Sequence, residues 1–175
     1  MVRVGTLLYG QSPLPLGPQW NLADTWQFKT TIIQIRTLPR GHGVGYGRAY
    51  RAKKPTRVGV IPVGYGHGLE LEPQSSTGRQ LKQLLAKTFK AESVVFFQDS
   101  PLPLLGRVSM GLSCVDLSKK PHLKVGDEVQ VVMRRVTASQ HVPRYYYLNN
   151  DLKCIYWNGQ ILNSKLQRTS LKRLF

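Results

Sequence analysis

Acidic residues are scarce in this chain: 9 Asp and Glu stand against 25 Lys and Arg in 175 residues, a formal charge of +16 at pH 7. Such an imbalance argues against cationic partners and favours either anionic ones, nucleic acid included, or a solvated basic surface. Cysteine is nearly absent. Cys114 and Cys154 stand forty residues apart without metal-ligand spacing, which excludes a disulfide-stapled scaffold and leaves buried or free thiols in a reducing compartment. His42, His67, His122 and His141 pair with no cysteine or carboxylate at helical or hairpin spacing, so a zinc site is not expected. The chain has no run of about 18 apolar residues and no export-signal pattern at its start; a cytoplasmic protein is the expectation. Glycines alternate at positions 41, 43, 45 and 47, yet no helical segment follows and the Lys-Ser/Thr pair of a phosphate-binding loop is missing, so a dinucleotide site is not expected either.

Apolar residues make up 41% of the chain, with ordinary glycine and proline content, enough for a globular core without low-complexity segments. The length suits one domain, or one with an appendage. Arg3 to Tyr9 reads as a buried strand, and Ser12 to Pro18, with three prolines, reads as a linker that cannot pair in a regular ladder. Thr30 to Thr37 alternates as a half-buried strand does, and Pro39 to Gly43 is a turn. Gly78 to Lys90 carries Leu81, Leu84, Leu85 and Phe89 at helical spacing, the stripe of an amphipathic helix that packs on a core or, less commonly, meets a membrane surface or partner. Ser93 to Phe97, Leu102 to Asp116 and Glu128 to Val136 read as further strands, followed by an aromatic stretch at Tyr145 to Tyr147.

The segment Gly43 to Gly68, GVGYGRAYRAKKPTRVGVIPVGYGHG, holds two Gly-Tyr-Gly triplets nineteen residues apart. The glycines beside Tyr46 and Tyr65 open backbone conformations closed to other residues and let a ligand approach closely. Between them VGVIPV, Val58 to Val63, has the β-branched composition of a buried strand, which puts one phenol at each end of it. Taken alone, the spacing suits two turns with tyrosines as packing residues. Two further segments follow: LLGRVSMGLSCVD, Leu104 to Asp116, and VGDEV, Val125 to Val129. In this order the four segments resemble the C-terminal domain of alanine racemase, in which GYG, GYADG, GR-x-x-M and VGDEV segments recur. MVRVGTLLYG, Met1 to Gly10, is similar to the last strand of the (β/α) barrel that precedes that domain.

The resemblance, covering about Val2 to Val132, implies a mostly β fold: an alanine racemase C-terminal-like β-barrel domain with one inserted amphipathic helix. It divides the chain into residues 1–11, a remnant of the last barrel strand; 12–28, a linker; 29–148, the β-domain; and 149–175, a basic extension. A barrel of around 250 residues, with the lysine that forms a Schiff base with pyridoxal phosphate, would precede this point. The expectation is therefore an interrupted or mis-started reading frame, or a remnant, inactive alone unless a separate barrel fragment completes it.

By the same resemblance Tyr46 is the catalytic tyrosine, one of two bases that move a proton on opposite faces of L- or D-alanine. Arg3 faces the cofactor's pyridine nitrogen, where a guanidinium can only donate, and the backbone N–H groups of Gly5 and Thr6 hold its phosphate. Met110 lines the substrate carboxylate site, Arg107 lies near the approach to it, and Tyr65 lines the corridor. The family's homodimer would place Arg3 and Tyr46 of one chain in different sites. Departures from the pattern are visible: Gly66 and His67 stand where an acidic residue is common, and Gly111 follows Met110 where the family has Asp. Val129 to Arg144 passes without the helix and phosphate-contacting tyrosine of the family, and Asp151 to Phe175 has no family counterpart. A different class of function, a basic β-barrel that binds nucleic-acid phosphates through Arg134, Arg135, Arg144 and the C-terminal cations, is the alternative.

Overall fold

The computed structural model describes residues 5–10, 22–23, 25–69 and 94–163. The helix expected at Gly78 to Lys90, the Ser12 to Pro18 linker, Arg3 and the cations beyond residue 163 lie outside these residues. What is described is mostly β: twelve strands and three short 3-10 turns.

The first described turn is a correction. Thr6–Tyr9, expected inside a strand, closes a 3-10 turn in which Leu8 N–H donates to Gly5 O at 3.1 Å and Gly10 N–H to Leu7 O at 3.1 Å. Leu8 and Tyr9 face solvent; an apolar run without strict alternation does not by itself choose strand over turn.

Residues 30–37, expected as one strand, are two. β1 (Phe28–Thr31) pairs with β9 (Glu128–Val131), and β2 (Gln34–Leu38) pairs with β5 (Thr56–Ile61). Ile32 N–H donates to Asp127 O at 3.0 Å and Ile33 N–H to Val60 O at 2.9 Å, so the chain leaves one sheet and joins another within two residues. The first sheet has the order β1–β9–β6–β7, with β6 at Val95–Phe97 and β7 at Ser100–Leu102. The second has the order β2–β5–β8, with β8 at Ser113–Asp116. A two-stranded ribbon, β3 (Gly43–Val44) with β4 (Tyr50–Arg51), and a meander of β10 (Arg144–Leu148), β11 (Asp151–Trp157) and β12 (Gln160–Asn163) complete the pairing.

β5 is the central strand of its sheet and is covered on both faces, which is why its sequence runs VGVI without alternation. On one face Ile61, with Val115 and Leu117, joins the main core shared with Val95, Leu102 and Val131. Gly59 lies under Leu117, whose Cδ1 would come within 2.7 Å of a Cβ there. On the other face Val58 packs with Val44 and Leu105 in a smaller core, flanked by Leu38, Tyr50 and Cys114. That smaller core seats the β3–β4 ribbon on the sheet.

Candidate active site

Three loops converge where β5 ends and β8 begins. After Ile61 the chain turns through Gly64 into a 3-10 turn at Tyr65–His67, and before Ser113 it makes a tight reversal at Ser109–Leu112. Ser109 closes that reversal twice: its N–H donates to Leu112 O at 3.0 Å, and its Oγ donates to the same carbonyl at 2.7 Å. The two loops are joined through backbone. Tyr65 N–H donates to Ser109 O at 3.0 Å and Gly66 N–H to Met110 O at 2.9 Å. Gly64 permits this approach, because a Cβ there would collide with the Ser109 and Met110 carbonyls. Beneath them the buried Ser113 hydroxyl donates to Val63 O at 2.5 Å.

The third loop follows β3. Gly45, with φ 76°, leads into Tyr46–Arg48, and Gly47 and Arg48 also have positive φ, 66° and 52°. A Cβ on Gly45 would stand 2.9 Å from Arg107 N, and one on Gly106 would press on Val44 O. The Tyr46 turn is thus pinned to the Gly106–Arg107 peptide, and Arg107 runs on into the Ser109–Met110 reversal. Tyr46, Tyr65, Arg107 and Met110 are brought onto one connected set of loops, and all four side chains are exposed, Tyr46 by 70% and Met110 by 67%.

Tyr9, at the end of the turn that Thr6 opens, meets the segment behind this set. Arg135 lays its guanidinium carbon 3.8 Å from the centre of the Tyr9 ring. The segment carrying Arg135 supports the Tyr65 loop: Ser139 N–H donates to His67 O at 3.1 Å, and Gly68, φ 103°, lies against Thr137 O. These contacts were not read from the sequence, and neither was the Gly106–Val44 contact; the glycines of the GR and GYG segments were the available signal. Of the cations considered for phosphate contact, Arg135 is engaged by Tyr9 and Arg144 Nη2 donates to Ala138 O at 3.4 Å.

The sequence that builds these turns and this reversal matches a known family. The model of "Alanine racemase, C-terminal domain" matches residues 25–156. This chain belongs to the alanine racemase C-terminal domain family. Alanine racemase of Methylacidiphilum infernorum is 34% identical over 127 residues, covering 73% of this chain and 28% of that protein. Alanine racemase of Pseudomonas savastanoi is 32% identical over 156 residues, covering 87% and 39%. Among solved structures, the alanine racemase of Clostridium difficile 630 superposes with TM-score 0.71 at 23% identity, over 90% of this chain and 42% of that one. The biosynthetic alanine racemase of Pseudomonas aeruginosa does so with TM-score 0.57 at 31% identity, over 74% and 32%. The chain spans 28% and 39% of the length of these two curated relatives.

Pyridoxal phosphate, which the resemblance implies, can be tested against the alanine racemase residues present. No acceptor among the described residues takes the N–H of Gly5 or Thr6, and a Cβ on Gly5 would meet nothing within 4 Å. N–H groups without a partner among the described residues, at the start of a turn, fit a phosphate group. No helix among the described residues is long and apolar enough to cross a membrane.

Proposed function

We propose that this chain is the C-terminal part of a pyridoxal-phosphate-dependent racemase of the alanine racemase type, acting in the cytoplasm, with L- and D-alanine as reference substrates. The observation that carries the reading is the backbone lock between the Tyr46 turn, Gly106–Arg107 and the Tyr65–Met110 pair of loops. It holds an exposed phenol at a fixed place beside the exposed Tyr65, Arg107 and Met110 side chains, as proton transfer at a bound substrate requires.

Tyr46 Oη takes a proton from, or returns it to, the substrate Cα on one face. Met110 N–H and its side chain bound the substrate carboxylate, Arg107 attracts that carboxylate from the approach side, and Tyr65 narrows the corridor. Gly5 and Thr6 would hold the cofactor phosphate through N–H groups, and Arg3, which lies outside the described residues, would face the pyridine nitrogen, where a guanidinium can only donate. When bound, the cofactor supplies the electron sink that makes the Cα proton removable. In a homodimer Tyr46 reaches the partner's site, so each site takes groups from two chains.

The base for the opposite face and the barrel that carries it belong to a further polypeptide or segment, and the chain alone is inactive. Racemisation assayed by circular dichroism should therefore be absent for the chain alone and present when a barrel fragment ending before Arg3 is added with pyridoxal phosphate. Tyr46→Phe should lower the rate of the mixture by about 10²–10⁴-fold, the usual worth of a general base. Turnover by the chain alone, or an undiminished Tyr46→Phe mixture, would sink the proposal.

A further inference from the structure

The loops that carry Tyr46, Tyr65 and Met110 contain no carboxylate. From Thr25 to Leu69 the sequence has eight Lys and Arg and no Asp or Glu, and from Ser100 to Val115 it has Arg107 and again no acid. Asp24 and Glu70, which bound the first stretch, lie outside the described residues. Hydrogen bonding gathers the basic part into a small space. Gly43 pairs with Arg51, Gly41 N–H donates to Ala52 O at 2.7 Å, and Ala52 N–H donates to His42 O at 2.9 Å. Arg40 and Lys53 therefore flank the base of a ribbon that has Tyr46 at its tip. Arg48 folds along it, with its Cβ and Cγ filling the space that a Cβ on Gly43 would need, at 2.8 and 2.7 Å.

Arg40, Arg48, Arg51, Lys53 and Arg107 are all exposed. The ion pairs among the described residues are Lys29–Glu128 and Lys153–Asp151, and neither touches this rim. Space accounts for the missing acid at Gly66, where a Cβ would stand 2.9 Å from Met110 O, but not at Gly111. At Gly111, where the resemblance expects Asp, a Cβ would meet nothing within 4 Å, and the backbone is not in the left-handed region. An aspartate would fit there, so the glycine leaves out a negative charge for which there is room.

We infer that the mouth formed by these loops selects anions and extends the substrate range to amino acids with a second carboxylate, the class of glutamate and aspartate. The charge selection stands on the rim itself; its consequence for substrates rests on the racemase reading. Fixed cations clustered at a cleft raise the local concentration of anions and their arrival rate by about 10–10³-fold, an advantage that salt removes and that a zwitterion such as alanine shares little.

Two measurements separate the charge selection from the racemase reading. On the full chain alone, paramagnetic relaxation of backbone amides by an anionic and by a cationic nitroxide of equal size reports the local potential residue by residue. At low salt the anionic probe should enhance relaxation at residues 45–48, 65–67 and 107–111 about fivefold more than the cationic one, given potentials above one kT. The excess should vanish in 0.5 M salt and fall in Arg48→Gln with Arg51→Gln; equal enhancement by the two probes would overturn the inference. In the complex with a barrel fragment, Gly111→Asp should lower kcat/KM for glutamate relative to alanine by roughly fivefold, with its amide spectrum confirming that the chain is folded. An unchanged ratio, or turnover of alanine without glutamate, would overturn the substrate extension. A complex inactive on both, with the probe excess intact, would sink the racemase reading and uphold the anion-selecting rim.

Discussion

Gly64 is the residue on which the site geometry most depends. Its missing side chain lets two strand-end loops touch through their carbonyls, and backbone cannot give way as a flexible side chain can. Gly64→Ala should cost about 1–3 kcal/mol in denaturant unfolding, the range for forced overpacking. Gly111→Ala, with open space around it, should stay within about 0.5 kcal/mol; equal costs would mean that Gly64 is not a contact point. The sequence marks both as glycines beside functional segments but does not say which one is held by sterics, because the opposing Ser109 carbonyl comes from 45 residues away. Cys114 is a second residue-scale case. Burial pushes its thiol above the ordinary value, since the thiolate would lose hydration. The folded state then holds the proton more tightly than the unfolded state. This contribution is fully present below the ordinary thiol range and is lost as pH rises through the raised value. Cys114→Ala should flatten the fall in melting temperature above about pH 8.5, even if its absolute stability drops from lost packing; an equally steep fall would assign the alkaline loss to other groups.

Among the elements, those with local signals were legible and those set by partners were not. Val58 to Val63 read as a buried strand from composition, and β5 is found at Thr56–Ile61. The change of sheet at Ile32–Ile33 was not legible, since both isoleucines suit a strand and only Asp127 and Val60, their distant acceptors, divide it. The C-terminal meander had a signal that composition obscured. Asn149-Asn150 and Asn158-Gly159 close its hairpins, with φ of 51° and 64° and of 47° and 80°, as two-residue turns with both central residues at positive φ require. Reading Asp151 onward as a basic extension followed its lysines and passed over the Asn-Gly pair. Gly159 has nothing within 4 Å of a Cβ, so Gly159→Ala tests the turn without a steric clash. It should cost about 1–2 kcal/mol through backbone conformation alone and speed hydrogen exchange in β11 and β12 while leaving β5 and β8 protected. Uniform loss of protection would show instead that the meander and the core sheet unfold as one unit.

For the molecule as a whole, the charge that shapes the rim is also a load on the fold. A formal +16 on 175 residues brings like charges closer on folding than they lie in the extended chain, and self-repulsion of this kind lowers the stability of the compact state. The described ion pairs, Lys29–Glu128 at 2.9 Å and Lys153–Asp151 at 3.4 Å, are exposed and offset little of it. The family resemblance was legible because its segments are local, whereas the electropositive face was not, because it depends on the β3–β4 ribbon carrying Arg40, Arg48, Arg51 and Lys53 on neighbouring backbone. Screening should therefore stabilise this chain, opposite to the response of a fold held by surface ion pairs. Raising sodium chloride from 20 to 200 mM shortens the screening length from about 20 Å to about 7 Å. A relief of about 1 kcal/mol corresponds to a rise in melting temperature of about 2–4 °C for a domain of this size. Most of the rise should occur by 200 mM, because screening saturates while general salting effects continue to grow with concentration. Arg48→Gln with Arg51→Gln, which removes two of the crowded charges, should raise the melting temperature at low salt and shrink the salt response. A melting temperature that is flat or falling across that range would mean the cations are spread too widely to repel, and the rim could not then concentrate anions.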